Sequence, residues 1–140
     1  MNPADQYCHF FDDSAFEETG RPGFRRRIIT GELLQLWFWR ITDGASGSIL
    51  HHHTDQEQLG MIIRGSIDFR IGGEEVTERT VLRAGEVYLA PKGVWHGDTI
   101  FSGDDEYGEV WILDVFSPPR TDIGQPTASA AAAASEVARG

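Results

Sequence analysis

Three of the chain's five histidines stand in a row, His51, His52 and His53, inside the stretch Ser48-Ile-Leu-His-His-His-Thr-Asp-Gln-Glu-Gln58. Side chains two apart on a β-strand project to the same face, so His51 and His53 point together and His52 points away. Two imidazoles beside a carboxylate or amide oxygen are the beginning of a transition-metal site. The plainer alternative is a solvated polar turn, or a histidine pair that takes up metal adventitiously. A fourth histidine closes a second patterned segment, Gly85-Glu-Val-Tyr-Leu-Ala-Pro-Lys-Gly-Val-Trp-His96. There a strand runs into a Pro-x-Gly turn, which re-aims the chain so that His96 faces inward. Only His9 falls outside these two stretches.

A third constellation lies in Tyr107-Gly-Glu-Val-Trp-Ile-Leu-Asp-Val-Phe-Ser-Pro-Pro-Arg120. Alternation places Val110, Ile112, Asp114 and Phe116 on one face. An inward carboxylate at the end of an apolar face is costly without a partner. Arg120 follows a rigid Pro-Pro segment that can fold it back, and a guanidinium fork there suits a carboxylate. The alternative is that Asp114 caps a turn and pairs with Arg120 structurally.

The remaining sequence supplies the elements that must position these groups. Short β-type runs occur at 27–30, 33–41, 48–53, 58–64, 67–71, 76–81, 86–90, 99–101 and 107–116, with turn signals such as Gly72-Gly73 between them. About nine strands without a helical period argue for an all-β sandwich or barrel, and a jelly-roll barrel suits the 140-residue length. The segment Leu36-Trp-Phe-Trp39 is apolar on both faces. One face is expected in the barrel interior and the other against a second copy, with Trp37 or Trp39 as contacts of a homodimer. Residues 1–23 are polar and acidic and read as an N-terminal arm, 24–122 as the barrel domain, and the alanine-rich 123–140 as a disordered tail without chemistry.

A formal charge of −10 argues against a nucleic acid or an anionic membrane as partner. The lone Cys8 forms no internal disulfide. No basic region followed by an apolar run opens the chain, and no apolar stretch approaches the ~18 residues of a membrane span. The expectation is a cytoplasmic protein acting on a small molecule.

Together the two histidine segments resemble the motifs of the cupin superfamily, G-x5-H-x-H-x(3,4)-E-x6-G and G-x5-P-x-G-x2-H-x3-N. His51 and His53 match the H-x-H core, and the count back from Gly65 puts Gln58 where the acid usually stands. The opening glycine matches loosely, at Gly44 or Gly47, and Ile100 replaces the final Asn of the second motif. The resemblance covers about residues 25–120. It implies a double-stranded β-helix around one divalent transition metal (Ni, Zn, Mn or Fe). The ligands it implies are His51, His53, Gln58 and His96, with the neighbouring Glu57 as rival to Gln58. An amide ligand among imidazoles leaves the metal its full charge, which favours Lewis-acid work over stabilising a higher oxidation state.

The set His-x-His-x4-Gln and the ending Asp114-Val-Phe-Ser-Pro-Pro-Arg120 further resemble the small KdgF-type cupins of pectin and alginate breakdown. A longer N-terminal arm, extra residues between Gln58 and His96, and the alanine-rich tail are departures. That resemblance implies ketonisation of 4,5-unsaturated uronates, in which the cyclic monosaccharide left by polysaccharide lyases is opened to its linear keto form. Carried over, Asp114 is the acid or base, Arg120 holds the uronate carboxylate with the metal, and Phe116 shapes the sugar site. The competing expectations are a metal-dependent dioxygenase or lyase on another small molecule, and a non-enzymatic metabolite-binding cupin with a vestigial metal.

Overall fold

In the computed structural model residues 3–122 are described, so the expected tail at 123–140 lies outside the described residues. Strands β1 (Glu17–Glu18), β2 (Phe24–Thr30), β3 (Gln35–Thr42), β4 (Glu57–Arg64) and β5 (Ser66–Gly72) are followed by β6 (Thr80–Arg83), β7 (Val87–Ala90), β8 (Trp95–Ser102) and β9 (Glu109–Ser117). All pair antiparallel, in two sheets of order β1-β2-β3-β9-β4-β7 and β6-β5-β8. The chain crosses between the sheets at Gly65, the single residue separating β4 from β5. The all-β, two-sheet architecture is the one the residue pattern predicts.

Period-two alternation explains the core. Trp37, Trp39 and Ile41 on β3 meet Val110, Ile112 and Phe116 on β9, with Ile67 and Phe69 of β5 and Phe101 of β8 closing the far side. The expectation that Trp37 or Trp39 meets a second copy is therefore corrected. Both indoles point into the barrel, where Trp37 is 2% and Trp39 6% exposed. The opposite face of β3, carrying Leu36 and Phe38, is covered in cis by Cys8, Phe10, Ala15 and Phe16.

This N-terminal stretch packs because outer-face arginines clamp it. Arg25 and Arg27 alternate outward from β2. Arg25 donates to Asp13 at 2.8 Å, Arg27 to the Ala4 carbonyl at 2.9 Å, and Arg40 of β3 to the Phe10 carbonyl at 3.3 Å. Phe10 stacks on Trp111 with ring centroids 5.7 Å apart, which buries an outward-facing indole completely. Two expected runs are displaced. The 48–53 run makes only an isolated bridge, His51 opposite His96, and the 76–81 run appears as β6 at Thr80–Arg83. Among the described residues no helix is long and apolar enough to cross a membrane.

Candidate functional site

Register assembles the site on the inner face of the larger sheet. Gln58 of β4 stands opposite Phe116 of β9 and Ala90 of β7, and Phe116 in turn opposite Gln35 of β3. One step along, a second row runs Trp37, Asp114, Gly60, Tyr88. Cross-strand neighbours sit about 5 Å apart, so two rows bring an amide, a carboxyl, a phenol and an indole to one patch. Gly60 is required by that crowding. A Cβ there would run into the Tyr88 ring, which instead lies over the glycine, and the Tyr88 hydroxyl accepts a hydrogen bond from Gln58 Nε2 at 3.0 Å.

The histidines arrive from the facing side. His51 and His96 exchange backbone hydrogen bonds, 2.9 Å from His51 N to His96 O and 2.8 Å in return. The rings of His51 and His96 lie 4.4 Å apart, and His53 is 5.2 Å from the first and 5.4 Å from the second. One nitrogen from each of the three converges within 4.8 Å of the others, so these residues can hold a metal ion. All three are buried, whereas His52 is half-exposed and packs on Trp95 at 4.3 Å. The inward–outward alternation thus holds although the segment is not a regular strand.

Hydrogen bonding fits the cluster to a cation. His51 Nδ1 donates to the Ile49 carbonyl at 2.8 Å, which turns its Nε2 into the lone-pair nitrogen. His96 faces two acceptors, the Val94 carbonyl 3.2 Å from Nδ1 and Gln58 Oε1 2.8 Å from Nε2. Only an imidazolium donates to both, yet burial and the Arg120 charge keep this ring neutral down to a pKa of about 4. A metal ion held by His96 Nε2 would remove the conflict, as would turning the Gln58 amide over. His53 Nε2 is buried without a hydrogen-bond partner, and burial, followed by the charges of Arg120 and His96, holds that ring's pKa at about 3.

Asp114 is buried beside this cluster. Its Oδ2 accepts from Trp39 Nε1 at 3.1 Å, and Oδ1 has no partner. Burial pushes the carboxyl up to about 7, against the opposing pull of Gln58, Trp39 and the Arg120 charge. Arg120 does not pair with Asp114. Its Nε and Nη2 lie 2.9 and 2.5 Å from the two oxygens of Asp122, while Nη1 is buried and unpartnered. The backbone of Arg120 is clasped by the Gln35 side chain, which donates to its carbonyl at 3.2 Å and accepts from its N–H at 3.1 Å. Phe116 is fully buried, wedged between His53, Trp37 and the Arg120 guanidinium. It braces the His53 and Arg120 side chains and presents no surface of its own. Glu57 lies outside this cluster: it is exposed, one residue from Gln58, whose side chain is inside.

The polar groups line a cavity of about 60 Å³, which includes His51, Gln58, Tyr88, His96 and Asp114 and, unexpectedly, Arg21. That is room for a few waters or the polar end of a small ligand. A wider depression of about 410 Å³ adjoins His53 and Arg120 on the surface side. Arg21, Tyr88 and Gly60 carried no motif in the sequence. The tight Gly20-Arg-Pro-Gly23 turn was the one available signal that Arg21 is held in place.

Two expected results follow from this geometry. Gly97, at φ +126°, directly follows His96, and a Cβ there would strike the Ile49 carbonyl that orients His51. Gly97→Ala should cost about 1–3 kcal/mol in denaturant unfolding and weaken metal uptake; unchanged values for both would show that the close approach is dispensable. The second concerns pH. Between about pH 4 and the ordinary histidine value of 6.5, the unfolded chain protonates two imidazoles that the folded chain keeps neutral, so acid destabilises. Asp114 acts oppositely, since the folded chain holds a proton from 3.8 to about 7 that the unfolded one has released. Two outweigh one. From these groups the metal-free protein should lose about 1 kcal/mol per pH unit as pH falls from about 6 to about 4.5. Urea melts at both pH values measure this, and equal midpoints would mean the imidazoles are not held neutral.

Comparison with known proteins agrees with the fold and extends it. The family model described as Cupin domain matches residues 37–106. The chain is 34% identical over 117 residues to the pectin degradation protein KdgF of Dickeya dadantii, covering 82% of this chain and 96% of that one. Its fold is similar to KdgF from Halomonas sp., with a TM-score of 0.66 and 24% identity over 83% of this chain and 99% of that one. A RmlC-like cupin from Shewanella frigidimarina superposes with a TM-score of 0.64 and 22% identity, over 84% and 96% of the respective chains.

Proposed function

The chain belongs to the cupin family and groups within it with KdgF, and from that premise we propose that it is a metal-dependent enzyme that opens 4,5-unsaturated uronate monosaccharides to their linear keto form. The observation that carries this reading is a shared cavity, lined by the buried Asp114 carboxyl, whose pKa is pushed up to about 7, and by His51 and His96 of the imidazole cluster. His51, His53, His96 and the Gln58 amide oxygen hold one divalent ion. When bound, that ion supplies a Lewis acid that withdraws charge from substrate oxygens.

The proton work falls to Asp114. As carboxylate it takes the proton of the anomeric hydroxyl. The bond from the anomeric carbon to the ring oxygen breaks, leaving its electron pair on that oxygen as an enolate, and the anomeric carbon becomes the aldehyde. Asp114 returns the proton to C4, which gives the ketone at C5. No electron is gained or lost, and one residue with a pKa close to the working pH serves as base and then as acid. The Trp39 indole fixes Oδ2, which leaves Oδ1 for the substrate. Arg120, anchored by Asp122 and braced on Trp37 and Phe116, offers Nη1 to sugar hydroxyls on the surface side of the cluster.

The test is incubation of the metal-loaded chain with a panel of lyase-derived unsaturated uronates, following loss of the conjugated enol-ether absorbance and the keto product by NMR. Turnover is expected with at least one of the panel. No acceleration over buffer with any member, with Ni, Zn, Mn or Fe loaded in turn, would end the proposal. Metal-dependent oxygen uptake on a different small molecule would move the assignment to a dioxygenase.

A further inference from the structure

Arg21 belongs to no motif, yet it forms part of the cavity wall shared with His51, Gln58, His96 and Asp114. Its position is built. The turn that carries it is tied by hydrogen bonds from Arg21 N to Thr19 Oγ1 (3.2 Å), from Phe24 N to the Arg21 carbonyl (3.1 Å) and from Thr42 N to the Gly23 carbonyl (2.8 Å). The guanidinium lies over the Phe24 ring, Cζ 3.7 Å from its centroid, and against the Gly47 backbone.

What it lacks is an anion. Arg25, Arg40, Arg64, Arg70, Arg79 and Arg120 each face a carboxylate. Arg21 makes no ion pair among the described residues, and its Nη2 is buried without a hydrogen-bond partner. Arg26 nearby adds positive charge. Burial, then that neighbour, lower the Arg21 pKa to about 10, so the group remains charged at neutral pH. The residue is half-buried, and a guanidinium N–H shut away from water without an acceptor is costly, because the group cannot escape by losing its proton.

We propose that Arg21 receives the carboxylate of the ligand that enters the barrel cavity. The cavity beside it has the size of such a group, and a guanidinium fork meets a planar carboxylate through two parallel N–H donors. Arg120 is the weaker candidate for this task, because Asp122 already occupies two of its nitrogens. Only the identity of the ligand as a uronate rests on the function proposed above; the anion site itself does not.

The experiment is titration calorimetry on the full, nickel-loaded chain with galacturonate, with its uncharged counterpart galactose, and with acetate as the bare anion. Galacturonate or acetate should bind wild type. Arg21→Gln should weaken the carboxylates by at least about tenfold while leaving galactose unchanged, and Arg21→Lys should recover part of the loss. Metal content and melting temperature of each variant separate this from misfolding. If Arg21→Gln binds the carboxylates as wild type does, or if wild type binds none, the proposal falls. If acetate binds in an Arg21-dependent way while no unsaturated uronate is turned over, the anion site stands and the uronate reading falls.

Discussion

Asp114→Asn is expected to lower kcat on an unsaturated uronate by roughly 10²–10⁴-fold while leaving the barrel and its metal uptake in place. The amide keeps the shape of the carboxyl and an oxygen for Trp39 Nε1, which now donates to Asp114 Oδ2 at 3.1 Å. It removes the one thing the mechanism needs, a proton that comes and goes near neutrality, since burial has pushed the carboxyl up to about 7. The pH–rate profile should lose its limb near that value, and KM should move far less than kcat. Steady-state rates, metal content and a thermal melt of the same preparation decide the matter. Turnover within tenfold of wild type, at full metal occupancy, would mean the proton is carried by another group, such as the Tyr88 phenol that lines the same cavity.

His96→Ala should abolish tight metal binding, whereas His52→Ala should leave it intact. His96 lies on both neighbours, 4.4 Å from the His51 ring and 5.4 Å from that of His53, and its Nε2 is the nitrogen that meets Gln58 Oε1. Removing it takes away one of the three converging nitrogens and the partner of the amide together. Wild type titrated with metal to about a thousand times its dissociation constant gains about 4 kcal/mol, a rise of the order of 10 °C in melting temperature. The His96 variant should show almost none of this rise, and a chelator should erase it from wild type. A His52→Ala protein that lost its metal would overturn the assignment of inward and outward rings.

The sequence read well where one rule decides the outcome. Alternation on β9 predicted Asp114 and Phe116 on the inner face, and both are buried there. The same rule separated His51 and His53 from His52. It failed at Trp37 and Trp39, because a run apolar on both faces does not say what covers each face. The answer lay in Phe10 and Phe16, two aromatics inside an acidic segment that reads as solvated. The Arg120 partner was equally hidden, since Asp122 sits just past the motif and competes with the more conspicuous Asp114. Tyr88 over Gly60 depends on which residues face each other across β4 and β7. No local pattern encodes that register.

The strand that carries Asp114 is the last of the described strands in sequence and stands in the middle of its sheet, between β3 and β4. Until β9 emerges during synthesis, β1-β2-β3 and β4-β7 share no sheet hydrogen bonds, although His51, His53, Gln58 and His96 have all been made. Gln35 must wait for Phe116, a contact across most of the barrel's length, which is the kind of non-local pairing that slows folding. A nascent chain halted before Asp114 would therefore not be a folded but inactive barrel. It would leave β3 and β4 as open edges, a template for aggregation, so the strand that delivers Asp114 to the cavity is also the one that closes those edges.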